Sequence, residues 1–198
     1  MTPRKGLAVG ALVLAVVFLL LGLLFRNQGD FAHSYLKKQL REHGITFSPV
    51  SALLPDQKKV SCLVKNAGKP LLTGKQAECY GNYQIGLDLP LVAGGKTYFQ
   101  AHYNGYLTRV KMFQALKTAP TAPATAELVK AATAADRTAD DLLAGEAMRG
   151  LLLTGYGFSV IGDKATQAGL VCLILAPIML VAALALLLSS RKQVASAP

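Results

Sequence analysis

The sequence predicts an all-α protein: two transmembrane helices flanking an extracytoplasmic, mostly helical domain. Three observations carry that expectation. Residues 7–25 (LAVGALVLAVVFLLLGLLF) are 19 residues without one charged or polar side chain. As a helix they reach roughly 28 Å, close to the ~30 Å hydrocarbon core of a bilayer. Residues 168–188 (AGLVCLILAPIMLVAALALLL) have the same character near the other end. Compact basic pairs lie outside both runs, Arg4–Lys5 before the first and Arg191–Lys192 after the second. Cytoplasmic flanks of membrane helices collect Lys and Arg, and two spans return the chain to its starting side. Both termini (1–6 and 189–198) are therefore expected in the cytoplasm, with residues 26–167 outside.

The first run is read as an uncleaved signal anchor. A cleavable signal peptide has a shorter apolar core followed by a small-x-small site. Here the run ends in Arg26-Asn27-Gln28-Gly29-Asp30. The second run carries Pro177 at its centre, which membrane helices tolerate. Gly10, Gly22 and Gly169 offer close approach of the two helices, although they do not form a GxxxG pattern. Neither run contains an ionisable side chain of the kind that marks an ion path or proton relay.

Between the runs, residues 27–43 (NQGDFAHSYLKKQLREH) read as an amphipathic helix with Phe31, Tyr35, Leu36 and Leu40 inward. Gly44 is placed as its stop, and the helix is able to continue directly from the first span as a stalk. Residues 45–57 are a connector broken by Pro49 and Pro55. Residues 60–64 form a short apolar piece. Residues 75–92 are expected as a helix with Ala77, Tyr80, Gly81, Ile85, Leu89 and Val92 inward, ended by Gly94–Gly95. Residues 97–107 open on a Thr cap and are read as helical, packing Tyr98, Ala101, Tyr106 and Phe99; a strand is the alternative, since aromatic residues favour one. A small, proline-containing connector (117–125) leads to an alanine-rich helix (126–144), and residues 142–161 continue towards the second span.

The formal charge is +10, from 21 basic and 11 acidic residues. Setting aside the four basic residues beside the termini leaves 17 basic against all 11 acidic residues in the middle, a net of +6. Lys37, Lys38, Arg41, Lys58 and Lys59 are the cations expected to meet an anionic lipid or wall polymer, if the surface is used that way. No cluster of cations with stacking groups marks a nucleic-acid site, and there is no Trp.

Cys62 and Cys79 both fall outside the spans. Two cysteines in an oxidising compartment are expected to pair, closing a loop of about 17 residues worth roughly 3 kcal/mol in the chain-entropy treatment. Cys172 lies within a span as a packing residue. His33, His43 and His102 do not have the spacing of a zinc site, and His33 and His43 do not share a helix face. Asp136, Asp140 and Asp141 read as a solvated helix face. Glu146 and Arg149 are i, i+3 partners, expected as an ion pair close to the membrane that sets how the domain sits. Nucleophile-elbow and phosphate-loop patterns are absent. No cofactor or metal is implied. The function expected from this is non-enzymatic: a cell-envelope accessory or scaffold protein that works by contact with the lipid bilayer and with other membrane or envelope proteins. A binding module for anionic lipid or wall polymer is the second reading. An envelope enzyme built on Glu146 and the Asp group is the third.

Two blocks carry a resemblance. Residues 75–100 (KQAECYGNYQIGLDLPLVAGGKTYFQ) and 145–162 (GEAMRGLLLTGYGFSVIG) are similar to segments of a family of actinobacterial two-span membrane proteins. Its members resemble this chain in having an N-terminal span, an outer helical domain with an AGGKTY-like segment, a GETLRGLLL-like block and a C-terminal span. The resemblance implies a Gram-positive envelope setting and brings no activity, cofactor or catalytic residue. Some such proteins carry ring-opening dioxygenase names. This chain lacks the clustered His and carboxylate iron ligands that such chemistry needs.

Overall fold

A computed structural model describes residues 3–118 and 123–195. The described chain is all-α. Helix α1 spans Pro3–Glu42, α2 Pro55–Lys58, α3 Ser61–Asn66, α4 Gly74–Cys79, α5 Gly86–Val92, α6 Tyr98–Thr118 and α7 Pro123–Ala195. A π-helical segment, Tyr80–Ile85, joins α4 to α5 without a break. Among the described residues the only β feature is a single bridge between Thr46 and Pro70. The connector expected over 117–125 lies in part outside the described residues, as does the end of the C-terminal tail.

Sequence signals account for the helix ends. Gly44, with φ +63°, stops α1, and its N–H donates to the Arg41 carbonyl. Pro55 stands at the first position of α2, where a missing N–H costs nothing. Thr73 caps α4 by a reciprocal pair with Gln76: the Gln76 N–H donates to Thr73 Oγ1, and the Thr73 N–H to Gln76 Oε1. Thr97 and Gln100 repeat the arrangement at α6. Gly94 and Gly95 take φ +58° and +80° between α5 and α6, a conformation that side-chain-bearing residues rarely adopt.

The chain divides into two compact units, Met1–Lys38 with Gly157–Pro198, and Gln39–Tyr156. In the first unit α1 and α7 pack through small residues. A Cβ added at Gly169 would lie 2.9 Å from both the Arg26 nitrogen and the Gly22 carbonyl oxygen; one added at Gly162 would lie 2.8 Å from Ala32 Cβ. Gly22 therefore faces Gly169 and Gly29 faces Gly162, in antiparallel register. The same register carries Ala15 to Ala176 and Ala8 to Ala183, all four buried. Each series, 8-15-22-29 and 162-169-176-183, repeats every seven residues. That is the period of a left-handed helix pair, and small residues let the backbones come close. Gly10 is not part of this seam, because nothing lies within 4 Å of its added Cβ. Of the three glycines expected to allow close approach, Gly22 and Gly169 do so and Gly10 does not.

In the second unit, α2 to α5 wrap around Phe47, Leu63, Leu71 and Ala77, all essentially inaccessible. Tyr80 meets the Phe47 ring edge-on at 5.2 Å. Three packing residues expected in this unit are instead exposed. Val92 is exposed, and the adjacent Ala93 is buried in its place. On α6 the buried residues are Ala101 and Gly105, whereas Phe99 and Tyr106 face outwards. The Gly105 position sits against Ala135 and Asp136 of α7, too close for a large side chain. In the first unit the expectation that Phe31 and Tyr35 face inward is also corrected: both are exposed, whereas the neighbouring Ala32 and Leu36 are buried.

Candidate functional site

Among the described residues no three His, Cys, Asp or Glu side chains group closely enough to hold a metal ion. Asp136 is engaged by Arg109, and Asp140 and Asp141 are exposed on α7. His102 lies beside the Tyr98 ring, and His43 borders an apolar hollow with Ile45, Met148 and Leu151. His33 has a different role from any read in the sequence. Its Nε2 lies 3.1 Å from Asp163 Oδ1, joining α1 to α7 one turn beyond the glycine seam.

The second unit is built around two cross-links. The first is covalent: Cys62 and Cys79 are disulfide-bonded, with Cα atoms 6.2 Å apart, tying α3 to α4. Both line a cleft of about 510 Å³ bordered by Lys65, Asn66, Lys75 and Tyr83. Lys75 is held by Glu78 and the Tyr156 hydroxyl, each 3.1 Å from Nζ, and these partners raise its pKa. Cys172 is a free thiol in α7.

The second cross-link is a buried amide cluster. Gln57, 1% exposed, donates from Nε2 to the Gln84 carbonyl at 3.2 Å and to Asp88 Oδ1 at 2.8 Å. Its Oε1 accepts the Leu54 N–H. Gln84 reaches Ser48 Oγ at 3.2 Å. One glutamine side chain thus ties the loop before α2 to the π-helix and to α5. Burial raises the Asp88 pKa, and the amide hydrogen bonds from Gln57 and Gln84 pull it back in part. Burial likewise raises Tyr80, with the nearby Asp88 carboxylate adding to the effect. The sequence pattern gave no sign of these buried glutamines, since nothing local distinguishes Gln57 from a surface residue.

Glu146 and Arg149 are 3.6 Å apart at their closest charged atoms. The expected i, i+3 contact is therefore present and partly solvated, with 49% and 36% of the two side chains exposed. Arg149 turns towards the π-helix: its Nε is buried without a hydrogen-bond partner, near Gly86, and its carbonyl lies against Gly81. Of the predicted anion-facing cations, Lys59 is paired with Asp56 at 2.8 Å. Lys37, Lys38, Arg41 and Lys58 are exposed and form no ion pair with a described residue.

Two helices are long and apolar enough to cross a membrane, Pro3–Glu42 and Thr125–Ser189, each with an 18-residue window of mean hydropathy 3.0. Only 17% and 11% of those windows are buried within the protein. Leucine and valine side chains cover the outward faces, among them Leu7, Leu20, Leu23, Val171, Val181 and Leu188. A core helix of a water-soluble protein would hide such faces. The chain matches no family model, no curated protein and no solved structure with which it was compared.

Proposed function

We propose that this chain is a non-enzymatic integral membrane protein of the cell envelope, an accessory or scaffold component that acts through protein and lipid contact. On this reading α1 and α7 cross the bilayer as an antiparallel pair, both termini are cytoplasmic, and Gln39–Tyr156 stands outside. One observation carries it: the two helices spend their small residues on each other and turn Leu and Val outwards, an arrangement suited to lipid and costly in water. The Cys62–Cys79 bond supports an oxidising, extracytoplasmic setting for the second unit. The basic pairs at Arg4–Lys5 and Arg191–Lys192 support cytoplasmic ends.

The scaffold reading is tested by native co-purification. Extracted in mild detergent, the full chain is expected to bring down a stoichiometric membrane or envelope partner. Recovery of the chain alone, across several detergents and at native abundance, would count against it.

A further inference from the structure

Helix α6 turns its aromatic side away from the helix it packs on. Ala101 and Gly105 are buried, and the Gly105 position sits against Ala135 and Asp136 of α7. On the opposite side Phe99, Tyr103, Tyr106, Val110 and Phe113 recur at alternating steps of four and three residues. At ~100° per residue they fall within an arc of about 80°. Phe99 is 80% exposed, Tyr103 60%, Tyr106 53% and Phe113 57%. Together these four present roughly 500 Å² of ring surface, a size that marks interaction sites. Steps of four and three average ~3.5 residues, the repeat of two helices packed side by side along their length. The stripe has the spacing of a helix–helix seam, and the exposure of its rings shows that no described helix of the second unit covers it.

We propose that this face joins two copies of the chain, α6 of one packed lengthwise on α6 of a neighbour in the same membrane. The proposal rests on the membrane reading above. Copies inserted the same way in one bilayer are related by an axis along its normal, which keeps each residue level with its counterpart. The stripe of one copy therefore meets that of another at whatever height α6 stands. Two such faces bury up to about 1,000 Å² together, the lower bound for a specific interface, and confinement to one bilayer raises the effective concentration. Charge does not oppose the pairing. Lys111 lies about 120° round the helix from the middle of the stripe. Lys117 continues the stripe four residues past Phe113, in the last turn, where its ammonium reaches water. A single lysine at a seam position is compatible with pairing and fixes its register.

Photo-crosslinking reads the occupant directly. The full-length chain carrying Tyr106→benzoylphenylalanine, at native abundance in its own membranes, is illuminated and its adducts are mapped by mass spectrometry. Leu20→benzoylphenylalanine, at a side chain 61% exposed on α1, reports through lipid adducts whether the spans are inserted. The expected result at position 106 is an adduct of twice the chain mass, joined to the 98–118 stretch of a second copy. Adding Tyr103→Glu, at an exposed position that leaves the helix content unchanged, is expected to lower its yield about ten-fold. Ala134→Glu, on the exposed side of α7, is expected to leave the yield unchanged. Four results would overturn the proposal: an adduct at 106 with a different protein; an adduct at 106 with lipid; no adduct at 106 while position 20 captures lipid; or a copy-to-copy yield that Tyr103→Glu does not lower. Absence of lipid adducts at position 20 would overturn the membrane reading and this proposal with it.

Discussion

Gly169→Ala is the sharpest perturbation of the first unit. The added Cβ would meet two backbone atoms, the Arg26 nitrogen and the Gly22 carbonyl oxygen, both at 2.9 Å, and Phe25 Cβ at 3.3 Å. Backbone of two helices cannot swing aside as a side-chain tip can. To regain ordinary contact distances α1 and α7 must part by roughly half an ångström, loosening the neighbouring contacts along the seam. Overpacking of this kind costs about 1–3 kcal/mol. Gly10→Ala is the matched control, because its Cβ meets nothing within 4 Å. There only the intrinsic helix preference for Ala acts, up to ~1 kcal/mol in the opposite direction. Unfolding of the full chain in mild detergent, followed by loss of helicity on titration with a denaturing detergent, should separate the two variants in opposite directions from the native chain. If Gly169→Ala is as stable as the native chain, or if Gly10→Ala is equally damaging, the seven-residue seam does not hold the helices together.

The remaining predictions concern the second unit. Replacing Cys62 and Cys79 together by Ser is expected to destabilise Gln39–Tyr156 by about 3 kcal/mol, the loop-closure value for a 17-residue separation, read as a lower unfolding midpoint that the native chain reproduces on reduction. Gln57→Ala removes the acceptor of the Leu54 N–H and the donor to Gln84 and Asp88, and should cost about 2–4 kcal/mol by the same measurement. Asp88 is the group to follow with pH. Its pKa is raised in the folded chain, so the fold binds that proton more tightly than the unfolded chain does, and the native chain loses stability as pH rises above the ordinary Asp value of 3.8. Asp88→Asn should flatten that decline while keeping an acceptor for Gln57, and parallel pH profiles would contradict the assignment.

The parts of the fold that follow from local chemistry were legible. Uninterrupted apolar runs gave the two long helices. Gly44 gave the end of α1, Gly94–Gly95 the end of α5 and Thr97 the start of α6, because each imposes a backbone conformation or a cap by itself. The cysteine pair followed from there being only two outside the apolar runs. What escaped depends on partners distant in sequence. Helix α6 packs its small side and exposes its aromatics, the inverse of the usual pattern, because Gly105 and Ala101 permit close contact with α7. The seam escaped because its repeat is seven residues, not four, and is divided between Gly and Ala. Gln57 and Gln84 are buried only because the π-helix and the loop before α2 meet around them. His33 was weighed as a metal ligand, whereas its partner, Asp163, lies on the other long helix.

The central claim is that the two long helices cross the membrane and leave Gln39–Tyr156 on the outer side. In a Cys172→Ser background, single cysteines at Thr133 and at Lys5 are probed on intact cells with a membrane-impermeant thiol reagent, with the Cys62–Cys79 bond left in place. Labelling at 133 without lysis, and at 5 only after lysis, is the predicted outcome. Labelling at 5 on intact cells with 133 protected, or a reduced Cys62–Cys79 pair in the freshly trapped protein, would contradict it.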